Sequence, residues 1–123
     1  ITCNPKLYDI VGAFEKLDAI EWSQTNKTSV GDTVYIYVGG EYKAIMYKCE
    51  VLETELYGNR SDEDFEFYKT LSVKPDVRYM RIRLIEKYDK DTFPLAELRE
   101  HGLTNVQGRS KVTPQLLSYL SIK

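Results

Sequence analysis

The sequence predicts an α+β domain, a small curled antiparallel sheet or barrel flanked by short helices. Three observations carry that prediction. Two runs, Thr33–Val38 and Val77–Tyr88, alternate side chains with the period of a strand, and Ala44–Leu56 makes a long partner for the first. Helical spacing of apolar residues occurs only in short stretches, near the start and in the last third. No strand-helix-strand rhythm and no internal repeat runs through the 123 residues.

Length and charge bound the rest. A chain of 123 residues fits one domain whose core needs no disulfide or metal, and 42% hydrophobic with 29% charged residues is the balance of a globular protein. No apolar run approaches a bilayer-spanning length, and nothing reads as a signal peptide, so no membrane partner is expected. The net charge of −2 argues against a protein that grips nucleic acid mainly by non-specific attraction. The charges are nonetheless ordered. Acids cluster from Glu53 to Glu66, while bases gather between Arg78 and Lys87 and between Arg99 and Lys111. Cys3 and Cys49 sit in apolar, strand-like contexts without metal-ligand spacing, and read as reduced core residues of a cytoplasmic protein. The chain begins at Ile1 with no initiator Met, so residues 1–123 are expected to be one domain cut from a longer multidomain protein.

Each element follows from local signals. Ile1-Thr2-Cys3 reads as a short strand stopped by Asn4-Pro5, with Asn4 as N-cap and Pro5 in the first turn of a helix. Leu7, Ile10, Val11, Phe14 and Leu17 form its apolar face, and Gly12 weakens it by up to about 1 kcal/mol relative to Ala. Ile20 to Trp22 adds a brief extended segment. After a Gly31-Asp32 turn, Val34, Ile36 and Val38 alternate with Tyr35 and Tyr37. Gly39-Gly40 predicts a two-residue hairpin, since both positions tolerate positive φ. The returning strand puts Ile45, Tyr47, Cys49 and Val51 on one face. Tyr57 to Asp64 reads as an acidic surface loop, and Phe65, Phe67 and Tyr68 mark a short ordered segment before Lys74-Pro75-Asp76. In the next strand Met80, Ile82 and Leu84 point one way and Arg81, Arg83 and Ile85 the other. Phe93-Pro94-Leu95 opens a helix that Gly102 ends, and Thr113 caps a last helix whose buried stripe is Leu116, Leu117 and Leu120.

Signals for catalysis are weak. His101, the only histidine, lies at a helix end with no nucleophile or carboxylate partner in view, and reads as a structural or capping residue. One His and two separated Cys do not make a zinc site, and no phosphate-binding glycine loop or nucleophile elbow is present. The run Ser61-Asp62-Glu63-Asp64-Phe65-Glu66 lacks calcium-loop spacing. No catalytic residue, metal or cofactor is therefore expected. Signals for binding are stronger. Trp22, the one tryptophan, is followed by Ser23, Gln24, Thr25 and Asn26, a flat apolar surface next to hydrogen-bonding groups that suits a nucleobase. The plainer reading, a core aromatic beside an ordinary polar loop, stays open on the residues alone. Ten tyrosines favour stacking surfaces, though most are expected to pack in the core or on strand faces. Arg81 and Arg83, with Arg78 and Lys87 near them, make either a phosphate-contacting stripe or cross-strand pairs with Glu50 or Glu53. Arg109, Ser110 and Lys111 precede a helix start, where backbone N–H groups favour anions.

Taken in order, Cys3-Asn4-Pro5, Trp22-Ser23-Gln24, the GDTVYIY run from Gly31 to Tyr37, and Cys49-Glu50-Val51 resemble the EVE domains of the PUA-like superfamily. The C-terminal part fits as well: Tyr79 to Ile85, Phe93-Pro94-Leu95 with Leu98, Gly102-Leu103, Val106-Gln107-Gly108 and Val112. The resemblance covers nearly the whole chain. It implies a PUA-like barrel that takes an extruded or single-stranded base into a pocket, as modules of modification-dependent restriction endonucleases do beside HNH nuclease or AAA+ motor domains. It further implies that Asn4, Trp22, Ser23, Gln24 and Asn26 line the pocket, with Tyr37 or Tyr35 as an addition. Where such domains usually carry Glu at the first corner, this chain has Asn4, an amide that both donates and accepts, so the base edge being read stays open.

The expected function is thus recognition of a modified base, 5-methylcytosine or 5-hydroxymethylcytosine, flipped from double-stranded DNA, with phosphates met by Arg81, Arg83, Arg109, Ser110 and Lys111. A nuclease or motor domain of the same chain is the expected companion. An RNA-binding module like the related YTH domains is the alternative. A protein-interaction domain is a third reading, favoured if the Arg81/Arg83 face is paired with acids.

Overall fold

Residues 1–23, 28–57, 78–103 and 111–122 are described in the computed structural model of the chain. The elements run β1 (Thr2–Cys3), α1 (Ile10–Lys16), β2 (Ala19–Ser23), β3 (Thr33–Val38), β4 (Ala44–Tyr57), β5 (Arg78–Lys87), α2 (Leu95–Glu100) and α3 (Pro114–Ile122). Five strands form one curled sheet in the order β1-β3-β4-β5-β2. β3, β4, β5 and β2 pair antiparallel, as expected, but β1 lies parallel to β3, with Thr2 opposite Tyr37 and Cys3 opposite Val38. The sheet is therefore a mixed half-barrel rather than an all-antiparallel one. No helix among the described residues is long and apolar enough to cross a membrane.

The alternation in β3 has a simple outcome: both faces of this strand are covered. Ile36 and Val38 join Cys3, Tyr8, Ile10, Phe14, Ile20, Tyr47, Cys49, Val51, Met80 and Ile82 in a core under α1. Tyr35 and Tyr37 point the other way, into a second core with Ile45, Phe93, Leu98, Leu116, Tyr119 and Leu120 from the two late helices. Each large apolar side chain so buried contributes about 1.5–3 kcal/mol. Several of the tyrosines are therefore core residues.

Ile45 does not share a face with Tyr47. The β3–β4 register passes from Ile36 opposite Tyr47 to Tyr37 opposite Ile45, and this irregularity skips Met46. One extra residue resets the alternation, which sends Ile45 to the second core. The β3–β4 connection is also longer than the two residues expected, because β3 stops at Val38 and β4 starts at Ala44. Gly40 has φ +64°, and a Cβ there would lie 2.8 Å from Cγ of Pro5, so both conformation and space require glycine. The far end of this turn holds α2 in place: Leu95 N–H donates to Lys43 O at 2.9 Å and Ile45 N–H to Phe93 O at 3.1 Å.

Two helix boundaries differ from expectation. α1 starts at Ile10 and is capped by Asp9, whose side chain accepts from Gly12 N–H at 3.1 Å; Asn4 is not its cap. The backbone carbonyl of Asn4 instead accepts from Leu7 and Tyr8 in a separate turn, which leaves Leu7 49% exposed and buries Tyr8. α3 is capped by Thr113 as expected, with Leu116 N–H donating to Oγ1 at 3.2 Å. Its buried stripe is Leu116, Tyr119 and Leu120, and Leu117 is 47% exposed, because 116, 119 and 120 fall on one side of a helix and 117 does not.

Candidate nucleic-acid interface

Among the described residues β2 ends the sheet, hydrogen-bonded to β5 alone, with Trp22 opposite Met80 and Ser23 opposite Tyr79. Ile20 is buried in the α1-side core and Trp22 packs against that core while partly exposed. Tyr8 meets Trp22 edge to face, with ring centroids 5.5 Å apart and planes at 88°. A parallel stack, the geometry a base adopts on an aromatic ring, is not the one Tyr8 uses.

Asn4 follows β1 and is exposed. Its Oδ1 accepts from Lys6 N–H at 3.0 Å, and its backbone carbonyl accepts from Leu7 and Tyr8 N–H at 2.9 and 3.2 Å. The side-chain carbonyl is thereby engaged in the local turn, and the amide donors are what Asn4 can present outward. That turn delivers Tyr8 to Trp22. The first-strand corner and the tryptophan are thus joined through one buried ring. Ser23 is described as the last residue of β2, while Gln24 and Asn26 lie outside the described residues.

Tyr37 is not part of this arrangement. It is 7% exposed in the second core, on the opposite side of β3 from Ile36 and Val38, which share the core against which Trp22 packs. Burial raises its pKa, with Arg99 acting in the other direction. Strand alternation permits only one side of β3 to face Trp22, and the tyrosines are on the other.

Arg81 and Arg83 of β5 face carboxylates. Arg81 Nη1 lies 3.7 Å from Glu21 Oε1, and Glu53 is its register neighbour on β4. Arg83 Nη2 donates to Glu50 Oε1 at 3.3 Å. Cross-strand pairing is therefore what these two side chains do. Lys111 is exposed ahead of the Thr113 cap, and Arg109 and Ser110 lie outside the described residues, as do the acidic run from Ser61 and the segment from Phe65 to Tyr68. His101 ends α2 and stacks on Tyr119, with ring centroids 4.0 Å apart and planes at 7°, while the Tyr119 hydroxyl donates to Glu97 at 2.8 Å.

Two residues of the site escaped the sequence pattern. Tyr8 adjoins Leu7, and the three-and-four spacing selects Leu7 once the helix is taken to start early. Glu21 is 4% exposed yet charged, on the opposite face from Ile20 and Trp22. Its signal was only partial, since alternation puts Glu21 on the face opposite Ile20 and Trp22 but does not say which strand lies beside it.

A curled mixed five-stranded half-barrel with short helices on both sides defines a PUA-like α+β fold. Among solved structures, a mutant of ZmASCH from Zymomonas mobilis, an ASCH protein of this PUA-like kind, superposes with a TM-score of 0.60 over 98% of this chain and 94% of its own. The two sequences are 12% identical, so the likeness is one of fold. No family model matches the chain, and no curated protein matches it.

Proposed function

We propose that this chain is a nucleic-acid-binding domain that takes a single modified base, 5-methylcytosine or 5-hydroxymethylcytosine flipped from DNA, onto Trp22. The observation that supports this most is the partly exposed Trp22 on β2, tied through Tyr8 to the Asn4 corner. Stacking on the indole would contribute about 1–3 kcal/mol. Asn4, Ser23, Gln24 and Asn26 would read the base edge, with Asn4 donating. A methyl group in an apolar pocket adds only about 1 kcal/mol, so discrimination over bare DNA would be modest unless the site penalises the unmodified base. Catalysis, if it accompanies recognition, would belong to another domain of the same protein.

The acid pairing of Arg81 and Arg83 favours a second reading, a protein-interaction domain without nucleic-acid affinity. One titration separates the readings. Methylated, hydroxymethylated and unmodified duplexes are compared with single-stranded RNA, using Trp22→Ala and Gln24→Ala as controls. Tighter binding of a modified duplex, lost in Trp22→Ala, supports base reading in DNA. Preference for the RNA moves the assignment to an RNA-binding module, and no binding to any probe leaves the protein-interaction reading.

A further inference from the structure

We propose that Tyr8 is a positioning residue of the Trp22 site, holding the indole plane ready for a base; the inference rests on the nucleic-acid reading above. Trp22 is partly exposed on a strand with one hydrogen-bonded neighbour among the described residues, so the sheet described constrains its ring weakly. Tyr8, by contrast, is 3% exposed within the α1-side core and cannot turn without disturbing that packing. Its ring meets Trp22 at 5.5 Å and 88°, a contact that sets the plane of the indole by anchoring it to a rigid body.

The backbone adds a second link. Tyr8 N–H donates to the Asn4 carbonyl at 3.2 Å, so the turn that presents the Asn4 amide also places the Tyr8 ring. One local structure thereby sets two base contacts at once, the stacking face and an edge donor. A stacking ring already held in its bound orientation loses less freedom when ligand arrives. Tyr8 does not itself need to touch the base.

The chain has one tryptophan, so Trp22 reports on its own site. Near-ultraviolet circular dichroism and fluorescence anisotropy of Trp22 are measured in free wild type, Tyr8→Phe, Tyr8→Leu and Phe14→Leu. Affinity for a dye-labelled duplex carrying one 5-methylcytosine, and for a single-stranded RNA of the same sequence, is measured alongside. Tyr8→Phe keeps the ring and should retain both the indole signal and affinity. Tyr8→Leu should lose the indole band and bind roughly tenfold more weakly. Phe14→Leu, a ring deletion in the same core, should lose stability but keep the Trp22 signal and affinity. Where Tyr8→Leu does not fold, Tyr8→Met takes its place.

A Tyr8→Leu protein with wild-type indole signal and affinity overturns the inference, and so does a Phe14→Leu protein that loses both. If Trp22→Ala weakens binding while Tyr8→Leu does not, Tyr8 alone is misassigned. If neither probe binds wild type, the nucleic-acid reading falls and the role of Tyr8 with it; if Trp22→Ala binds as wild type does, Trp22 is not the base platform and the role of Tyr8 is overturned.

Discussion

Arg81 on β5 reaches across to Glu21 on β2 at 3.7 Å, with side chains 27% and 5% exposed. A carboxylate so deeply buried depends on the cation that faces it. Arg81→Met should therefore destabilise the domain by about 3 kcal/mol. Replacing both members with apolar residues should recover much of that loss, because no buried charge then remains. Urea unfolding of the single and double variants checks this. A single-variant cost under about 1 kcal/mol would show the pair to be no more than a surface contact.

The neighbouring pair behaves differently. Arg83 and Glu50 are 52% and 37% exposed at 3.3 Å, so water screens them and Arg83→Ala should cost less than about 1 kcal/mol. If the domain binds nucleic acid, this substitution should leave the salt dependence of affinity unchanged, since Arg83 already has an acid to face. Lys111→Ala, at an exposed cation, should reduce the salt slope by about one. Titrations at several salt concentrations distinguish the two.

Gly12 and Asp9 are coupled. The Asp9 carboxylate caps α1 through Gly12 N–H, and a Cβ on residue 12 would collide with that carboxylate. Gly→Ala within a helix ordinarily stabilises by up to about 1 kcal/mol. Here Gly12→Ala should destabilise, by displacing a cap worth about 1 kcal/mol. In an Asp9→Ala background the same substitution should turn stabilising. Thermal melts of the four proteins test the reversal of sign.

Two buried tyrosines set an alkaline limit. Burial pushes Tyr47 from 10.0 up to about 12, and burial together with the hydrogen bond to Glu97 does the same for Tyr119. The folded state then holds protons that the unfolded state releases near pH 10, so stability is full below that pH and falls as pH rises from 10 to 12. Each unit of raised pKa corresponds to roughly 1.4 kcal/mol. Tyr47→Phe should flatten the decline in a series of melts across that range.

Cys49 should be chemically silent in the folded protein. Burial raises its thiol to about 12, which leaves almost no thiolate at neutral pH. Cys3 is buried in the same core. An aromatic disulfide reagent should react with neither until the protein is unfolded, when both titrate. Rapid labelling of native protein would contradict this core.

Much of the fold could be read from side-chain periodicity. The alternation of Val34 to Val38, the Met80-Ile82-Leu84 face and the Thr113-Pro114 cap are local signals, and the structure repeats them. The misreadings have local causes as well. Asn4 and Asp9 are both good caps, and the nearer one to the helical amides captures them. Ile45 changed faces because a bulge at Met46 resets the period, and nothing in the run from Ala44 to Val51 marks where a bulge falls. At the candidate site, Trp22 and the Asn4 corner were legible as residue types, whereas Tyr8 was hidden by Leu7.

The sequence by itself determined the α+β class, the faces of β3 and β5, and the residue types at the candidate site, since those depend on periods of two and of three to four residues along the chain. Only the tertiary structure decided partners. It set β1 parallel beside β3, sent Tyr37 to the core opposite Trp22, gave Arg81 and Arg83 to Glu21 and Glu50, and brought Tyr8 to Trp22. Those outcomes depend on which strands neighbour one another and in what register, and local spacing carries no record of either.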